Sequence, residues 1–377
     1  MERQTVKAKV AVVRSDNRRG AMAQALALIA DDLRACVAPN VLLKPNLVSH
    51  TRQLPSTHAD TLSAVADAMF AAGAERAIIA EGASDASAGF DRFGYRRELH
   101  GRPVHFFDIN HNETEWVPLT LSALDGSPLQ ARVSKTIAES TCRVSIALAK
   151  THVTSIVTLS LKNMLSSIHP QDRVMMHGSK GGGNGYSGWK RHAVEFLKGD
   201  SLAVNLLTRT LGRVRNLKNR LDGKTNADAW KRFAGKDLGY LRSVEAMNRN
   251  LVSLTKRVKP HISVIDGFVG MHREGPRHGT PMPLGVAIVG TDAVAVDAVA
   301  SAVMGFDPLG IGYLTYAEAA GLGTADLSAI EILGDPIASV RKTFVPHSNH
   351  AIARHWNRVA VLRGPHVRVG SQVASHA

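Results

Sequence analysis

The chain has 377 residues, of which 44% are apolar and 5% aromatic, and it carries a formal net charge of +14. That length predicts two lobes, or one lobe with an insertion, around a core of Ala, Val, Leu and Ile. No apolar run reaches the roughly eighteen residues of a membrane span, and Met1-Glu2-Arg3-Gln4 does not open a secretory signal.

In chain order, Val6 to Val13 is a β-branched run that suits a first strand, and Ala21 to Ala35 repeats apolar residues at helical spacing. Val41-Leu42-Leu43-Lys44 is a short strand that ends at Pro45, which holds Lys44 extended. Ser56 to Asp60 supplies capping residues for a helix through Ala72, closed by Gly73. Arg76 to Ala80 is the next strand and opens into Glu81-Gly82. This strand, helix, strand order predicts a right-handed parallel crossover. Val104 to Ile109 is a further strand, and Glu115 to Val133 reads as a hairpin turning at Asp125-Gly126. Arg143 to Ala149 is a buried strand that ends at Lys150-Thr151-His152, with a Thr/Ser-rich helix start after it. Strand patterning resumes at His261 to Ile265 and at Leu284 to Val289. Asp292 to Met304 and Tyr313 to Ala320 follow as helices, and Ala329 to Leu333 as a last strand. The expected class is α/β, a mostly parallel or mixed twisted sheet with helices on both faces and a basic helical insertion.

The positive charge is localised. Gln171 to Pro260 holds 19 Lys/Arg against 7 Asp/Glu, and Pro336 to Ala377 holds six Lys/Arg and no acid. The rest is mildly acidic, which argues against a uniformly nucleic-acid-binding domain. Residues 1–170 and 261–335 are therefore read as two parts of one core, 171–260 as an insertion and 336–377 as a basic tail. Within the insertion, Gly183-Asn184-Gly185-Tyr186-Ser187-Gly188 matches a dinucleotide fingerprint, but no strand precedes it and the mechanism of that motif is lost. A lid or a plain linker are the alternatives, a lid allowing His177 and Lys180 to reach a ligand. Docking of nucleic acid or an acidic partner on the insertion and tail is the second functional reading. Cys36 and Cys142 read as buried hydrophobes in a reducing cytoplasm.

Three strand ends carry the candidate chemistry, at the carboxyl edge where open α/β sheets collect ligands. Lys44 and Asn46 suit a carboxylate or phosphate. Lys150 ends an apolar strand and needs a partner or an exit, and His152 is a candidate general base. Downstream lie Lys162 and Asn163. If 155–167 is helical, Thr158 and Lys162 share one face. The third group is Asp266-Gly267 with Glu274-Gly275-Pro276-Arg277-His278-Gly279, whose glycines suit close backbone approach to a ligand. Asp292 reads as a helix cap. Asp297, inside an apolar helical run, calls for a partner, and a lysine from another strand end is the economical one. No metal motif is recognised and no cofactor is singled out. The expected ligand is a small anionic metabolite, with Lys150, His152, Glu274 and Asp297 as acid/base candidates.

The ordered set of motifs resembles the prokaryotic domain-of-unknown-function family numbered 362, from about Val41 to Gly334. The resemblance is carried by Lys44-Pro45-Asn46-Leu47, Thr57, Glu81-Gly82 and Phe93-Gly94-Tyr95 in the first half. Ala149-Lys150-Thr151-His152, Thr158 to Asn163, Asp266-Gly267, Glu274 to Gly279 and Asp292 to Ala298 complete it. Many relatives look like iron–sulfur proteins through an appended ferredoxin-like cysteine module. This chain has no such cysteine run, so the resemblance carries over no on-chain cluster. The family assigns no reaction.

Overall fold

The structure, a computed structural model, describes residues 7–180 and 238–358. The glycine-rich Gly183 to Gly188 stretch, most of the basic insertion and the end of the tail lie outside the described residues.

The first strand is β1 (Ala8–Arg14). Helix α1 (Arg18–Leu28) follows, capped by the Asn17 side chain, and it stops at Ile29, whose φ of −117° breaks the single helix expected to Ala35. Strand β2 (Asn40–Lys44) leads to α2 (Ala59–Ala71). The α2 cap is the His58 ring, which accepts from the Asp60 amide, rather than Ser56 or Thr57. Strands β3 (Arg76–Glu81) and β4 (Val104–Asp108) come next, then the hairpin β5 (Trp116–Ser122) and β6 (Pro128–Ser134).

Strand β7 (Cys142–His152) is longer than its apolar run because Lys150, Thr151 and His152 stay in the ladder. The chain then reverses into β8 (Ile156–Thr158), which pairs antiparallel with the end of β7, Lys150 facing Thr158 and His152 facing Ile156. This corrects the helix expected over 155–167. Ile156-Val157-Thr158 is a β-branched run that favours a strand. Only one α-turn, α3 (Ser160–Asn163), follows, and Thr158 is not on it.

After the undescribed segment, α4 (Leu238–Val258) buries Leu241, Val244, Met247, Leu251, Leu254 and Val258, a stripe at helical spacing. Strands β9 (Ile262–His272) and β10 (Thr280–Gly290) form a long antiparallel pair. Asp292 caps α5 (Ala293–Val303), accepting from the Val294 and Ala295 amides, and α5 is buried throughout. Helix α6 (Gly312–Ala319) and strand β11 (Ile330–Gly334) complete the core.

The main sheet runs β11-β1-β10-β9-β7-β2-β3-β4, with β8 attached to β7. From β9 through β7, β2 and β3 to β4 every pairing is parallel, and β10 is antiparallel to both its neighbours, so the sheet is mixed. Alternation along the strands divides the core between two faces. Val41, Leu43, Val144 and Ile146 pack with α1 and α2, whereas Leu42, Ala147 and Ile265 pack with α4, α5 and the hairpin. Residues from both sides of the insertion therefore share one sheet. The described part of the basic tail packs on the core, with Phe344, Ala353 and Trp356 buried in it and Ile352 buried against Leu241 of α4. No helix among the described residues is long and apolar enough to cross a membrane.

Candidate functional site

The parallel strands β2, β3 and β7 bring their polar ends to one edge. Lys44 ends β2, and its ammonium lies 3.0 Å from Glu81 at the end of β3, with both side chains fully buried. One Glu81 oxygen also accepts the Leu47 amide (3.1 Å), and the other accepts the amides of Gly82 (2.6 Å) and Ala83 (2.9 Å) and the Ser166 hydroxyl. Burial pushes this carboxyl up, but Lys44, Ser166 and the two amides outweigh it and hold Glu81 below the usual carboxylate range. A fully hydrogen-bonded buried pair is tolerable, whereas either half alone is not. Lys44, expected to bind ligand, is thus committed to Glu81. Nothing in the residue types of β3 marked Glu81 as its partner, although an acid ending a buried strand beside a lysine-ended one is the available signal.

Lys150 differs. Its Nζ donates to Asn46 Oδ1 (2.5 Å) and to the Pro55 carbonyl (2.8 Å), both neutral acceptors. Burial first, then the Lys162 charge, pushes its amine well below the ordinary lysine range. Asn46 is held in turn, its amide donating to Asn163 Oδ1 at 2.8 Å. The Asn163 amide donates to the Lys44 carbonyl (3.0 Å) and to Ser145 Oγ (3.1 Å). The two asparagines therefore orient Lys150 through a fixed chain of hydrogen bonds.

At the β7–β8 turn, His152 Nδ1 accepts from the backbone amides of Thr154 (3.0 Å) and Ser155 (3.3 Å). Those bonds place the proton of the neutral ring on Nε2. Burial, then Lys162, His177, His347 and Lys150, hold the imidazole well below its usual range, so it stays neutral. With Nδ1 occupied, His152 presents an N–H donor rather than the general base anticipated from the sequence. Ile156 completes the turn with φ +68°, a conformation that β-branched residues rarely adopt.

Lys162 sits on α3, 8% exposed, and has no hydrogen-bond or ion-pair partner among the described residues. Burial lowers its ammonium to about 8. His177, on the 3-10 turn Arg173–His177, feels the same lysine. Burial and Lys162 lower its ring to about 4, and its Nδ1 lies 3.3 Å from Ser243 Oγ. Lys180 is not brought here, since it is exposed and pairs at 2.8 Å with Asp125 in the β5–β6 turn.

Among the described residues Asp297 has no lysine partner, contrary to expectation. Its oxygens accept the amides of Ser160 (2.8 Å) and Leu161 (3.1 Å) and the Tyr313 hydroxyl (3.1 Å). Burial raises its carboxyl to about 7 against those three donors. It fastens α5 to the start of α3 and so positions Lys162 and Asn163.

Glu274 lies in the β9–β10 loop and accepts from His347 Nε2 (3.0 Å) and Ser348 Oγ (3.1 Å). His347 comes from the tail, where the Arg273 amide donates to the Val345 carbonyl (2.8 Å), and sequence reasoning missed it. The glycines around Glu274 serve packing instead of ligand approach. A Cβ on Gly275 would lie 1.9 Å from the Thr151 carbonyl oxygen, and one on Gly279 2.4 Å from that of His272. Among the described residues no three His, Cys, Asp or Glu side chains gather as a metal site.

The family model described as a domain of unknown function, DUF362, matches residues 41–302. The chain belongs to this family. A thylakoid-associated protein of Synechocystis is 33% identical over 156 residues, which cover 41% of this chain and 42% of that protein. This DUF362 chain thus spans less than half the length of the curated relative it matches. Among solved structures it is similar to the lactate racemase apoprotein of Thermoanaerobacterium thermosaccharolyticum, with TM-score 0.41 and 13% identity over 80% of this chain and 58% of that one. A Thermotoga maritima protein has TM-score 0.41 and 11% identity over 76% and 59%.

Proposed function

We propose that this protein is an enzyme that binds a small anionic metabolite, through a carboxylate or phosphate, at the carboxyl edge of its parallel strands. The observation that carries this reading is Lys162, an almost buried ammonium beside Lys150, His152 and His177 that lacks a counter-charge among the described residues. The nearby carboxylates are already used, Glu81 by Lys44 and Asp297 by two amides and a tyrosine. A buried cation without a partner is unfavourable for folding, and an anionic ligand is what would offset it. Lys162 supplies the charge, the Nε2 proton of His152 a directed hydrogen bond, and Asn46 and Asn163 fix Lys150 beside them. Glu274 also has partners, His347 and Ser348, but it is the carboxylate held by a titratable ring, so it is the proposed site of proton transfer and acid–base chemistry on the bound anion the proposed reaction class. The free thiols of Cys36 and Cys142 support a reducing, cytoplasmic setting.

The test is calorimetric titration of the full chain with lactate and with inorganic phosphate. At least one should bind, and Lys162→Ala should weaken it by tenfold or more. Absence of binding by both, or equal binding by the variant, overturns the reading.

A further inference from the structure

Three lysines meet at this edge, and their surroundings differ in a way that the anion-binding role alone does not use. Lys44 has a carboxylate. Lys162 has no partner among the described residues. Lys150 has two hydrogen-bond acceptors, both uncharged, and its electrostatic neighbours are mostly cations, namely Lys162, Arg277 and Lys44, with Glu81 already paired to Lys44. An sp³ amine that donates two N–H bonds, to Asn46 Oδ1 and the Pro55 carbonyl, is satisfied in its neutral form and keeps one position for its lone pair. A protonated amine would have a third N–H with no acceptor among the described residues. Full burial of the side chain among like charges acts in the same direction. A lysine kept as a free amine beside another cation is the arrangement that makes a nucleophile towards carbonyl carbon.

We propose that Lys150 is a nucleophile that forms an imine with the carbonyl carbon of a 2-oxo carboxylate whose anionic group is held by Lys162. This rests on the anion-site reading above and adds the substrate class. In the step, the Nζ lone pair attacks the carbonyl carbon and a C–N bond forms. The carbonyl oxygen leaves as water, carrying away the two hydrogens of the amine, and the C–O bond becomes C=N with no change in oxidation state. The two amine hydrogens pass to that oxygen, and His152, whose Nε2 carries a proton while Nδ1 accepts two amides, stays neutral and donates a hydrogen bond to the oxygen as it leaves. Asn46 is a positioning residue, because its Oδ1 aims the amine and its own amide is fixed by Asn163. Lys162 and His152 retain 8% and 7% exposure, whereas Lys150 is fully buried.

The experiment is reductive trapping of the full chain with pyruvate and sodium cyanoborohydride, read by peptide mapping in a mass spectrometer, beside calorimetry with lactate, which has the same carboxylate but no carbonyl. The expected result is one reduced adduct on the peptide bearing Lys150, slowed by excess lactate and formed at least tenfold more slowly in Lys162→Ala. Mapping on the unaltered chain locates the adduct even if Lys150→Arg fails to fold. Lactate binding without an adduct at Lys150, or labelling spread evenly over exposed lysines, overturns the imine and leaves the anion site standing. Failure of both binding and trapping removes the two together.

Discussion

Lys162→Met exchanges a buried ammonium, without a partner among the described residues, for an apolar side chain of similar length, and burial fixes the sign of the effect. Burial lowers the ammonium from 10.5 to about 8, a gap of about 2.5 pH units. At about 1.4 kcal/mol per unit, the charged form costs the fold about 3 kcal/mol relative to the unfolded chain. Below pH 8 both states hold the proton and the full cost is present. Between pH 8 and 10.5 the folded state has released a proton that the unfolded chain keeps, so this group makes stability rise with pH across that window. The methionine variant should therefore be more stable than the wild type at pH 7, by up to about 3 kcal/mol, with the advantage shrinking towards pH 10. Urea unfolding of both proteins at pH 7, 8.5 and 10 measures the difference directly. The same variant should lose lactate or phosphate binding. A variant that is less stable at pH 7, or whose difference from wild type does not change with pH, refutes the reasoning, because Lys162 would then have a partner that the fold needs.

Three further outcomes test the parts around it. Glu81→Gln leaves the buried Lys44 ammonium unpaired and should cost about 3–5 kcal/mol, read as a drop in urea midpoint that Lys44→Met in the same chain partly restores. His152→Asn retains an acceptor for the Thr154 and Ser155 amides but removes the Nε2 donor, so thermal stability should hold within about 1 kcal/mol while anion affinity falls about tenfold; His152→Gln should do the reverse. Gly275→Ala places a methyl 1.9 Å from the Thr151 carbonyl oxygen and should destabilise by about 1–3 kcal/mol, a loss that a thermal melt would register.

The fold was readable where a pattern is local. The alternation of Val41, Leu42 and Leu43, the helix ahead of Gly73 and the cap at Asp292 all follow from short-range rules, and so does the mixed α/β class. The β7–β8 reversal was not readable from those rules. The residues after His152 carry the Ser and Thr that usually begin a helix, whereas the turn is set by the ring of His152 accepting two amides and by Ile156 in a rare backbone conformation. The same distinction applies to the site. Residue type and position at a strand end identified Lys44, Lys150, His152 and Lys162 as candidates, but the partner of each decides what it can do. Those partners come from 37 residues away for Lys44 and Glu81, 104 for Lys150 and Asn46, and 137 for Asp297 and the Ser160 amide. Three lysines alike in sequence context thereby diverge, one neutralised by a carboxylate, one held between neutral carbonyls and one left with no partner among the described residues. On the proposed reading that inequality is what draws an anion to Lys162, which has no partner among the described residues, and a carbonyl to Lys150. A single protein in which all three lysines had carboxylate partners would have the same sheet, the same motifs and no reason to bind a ligand at this edge.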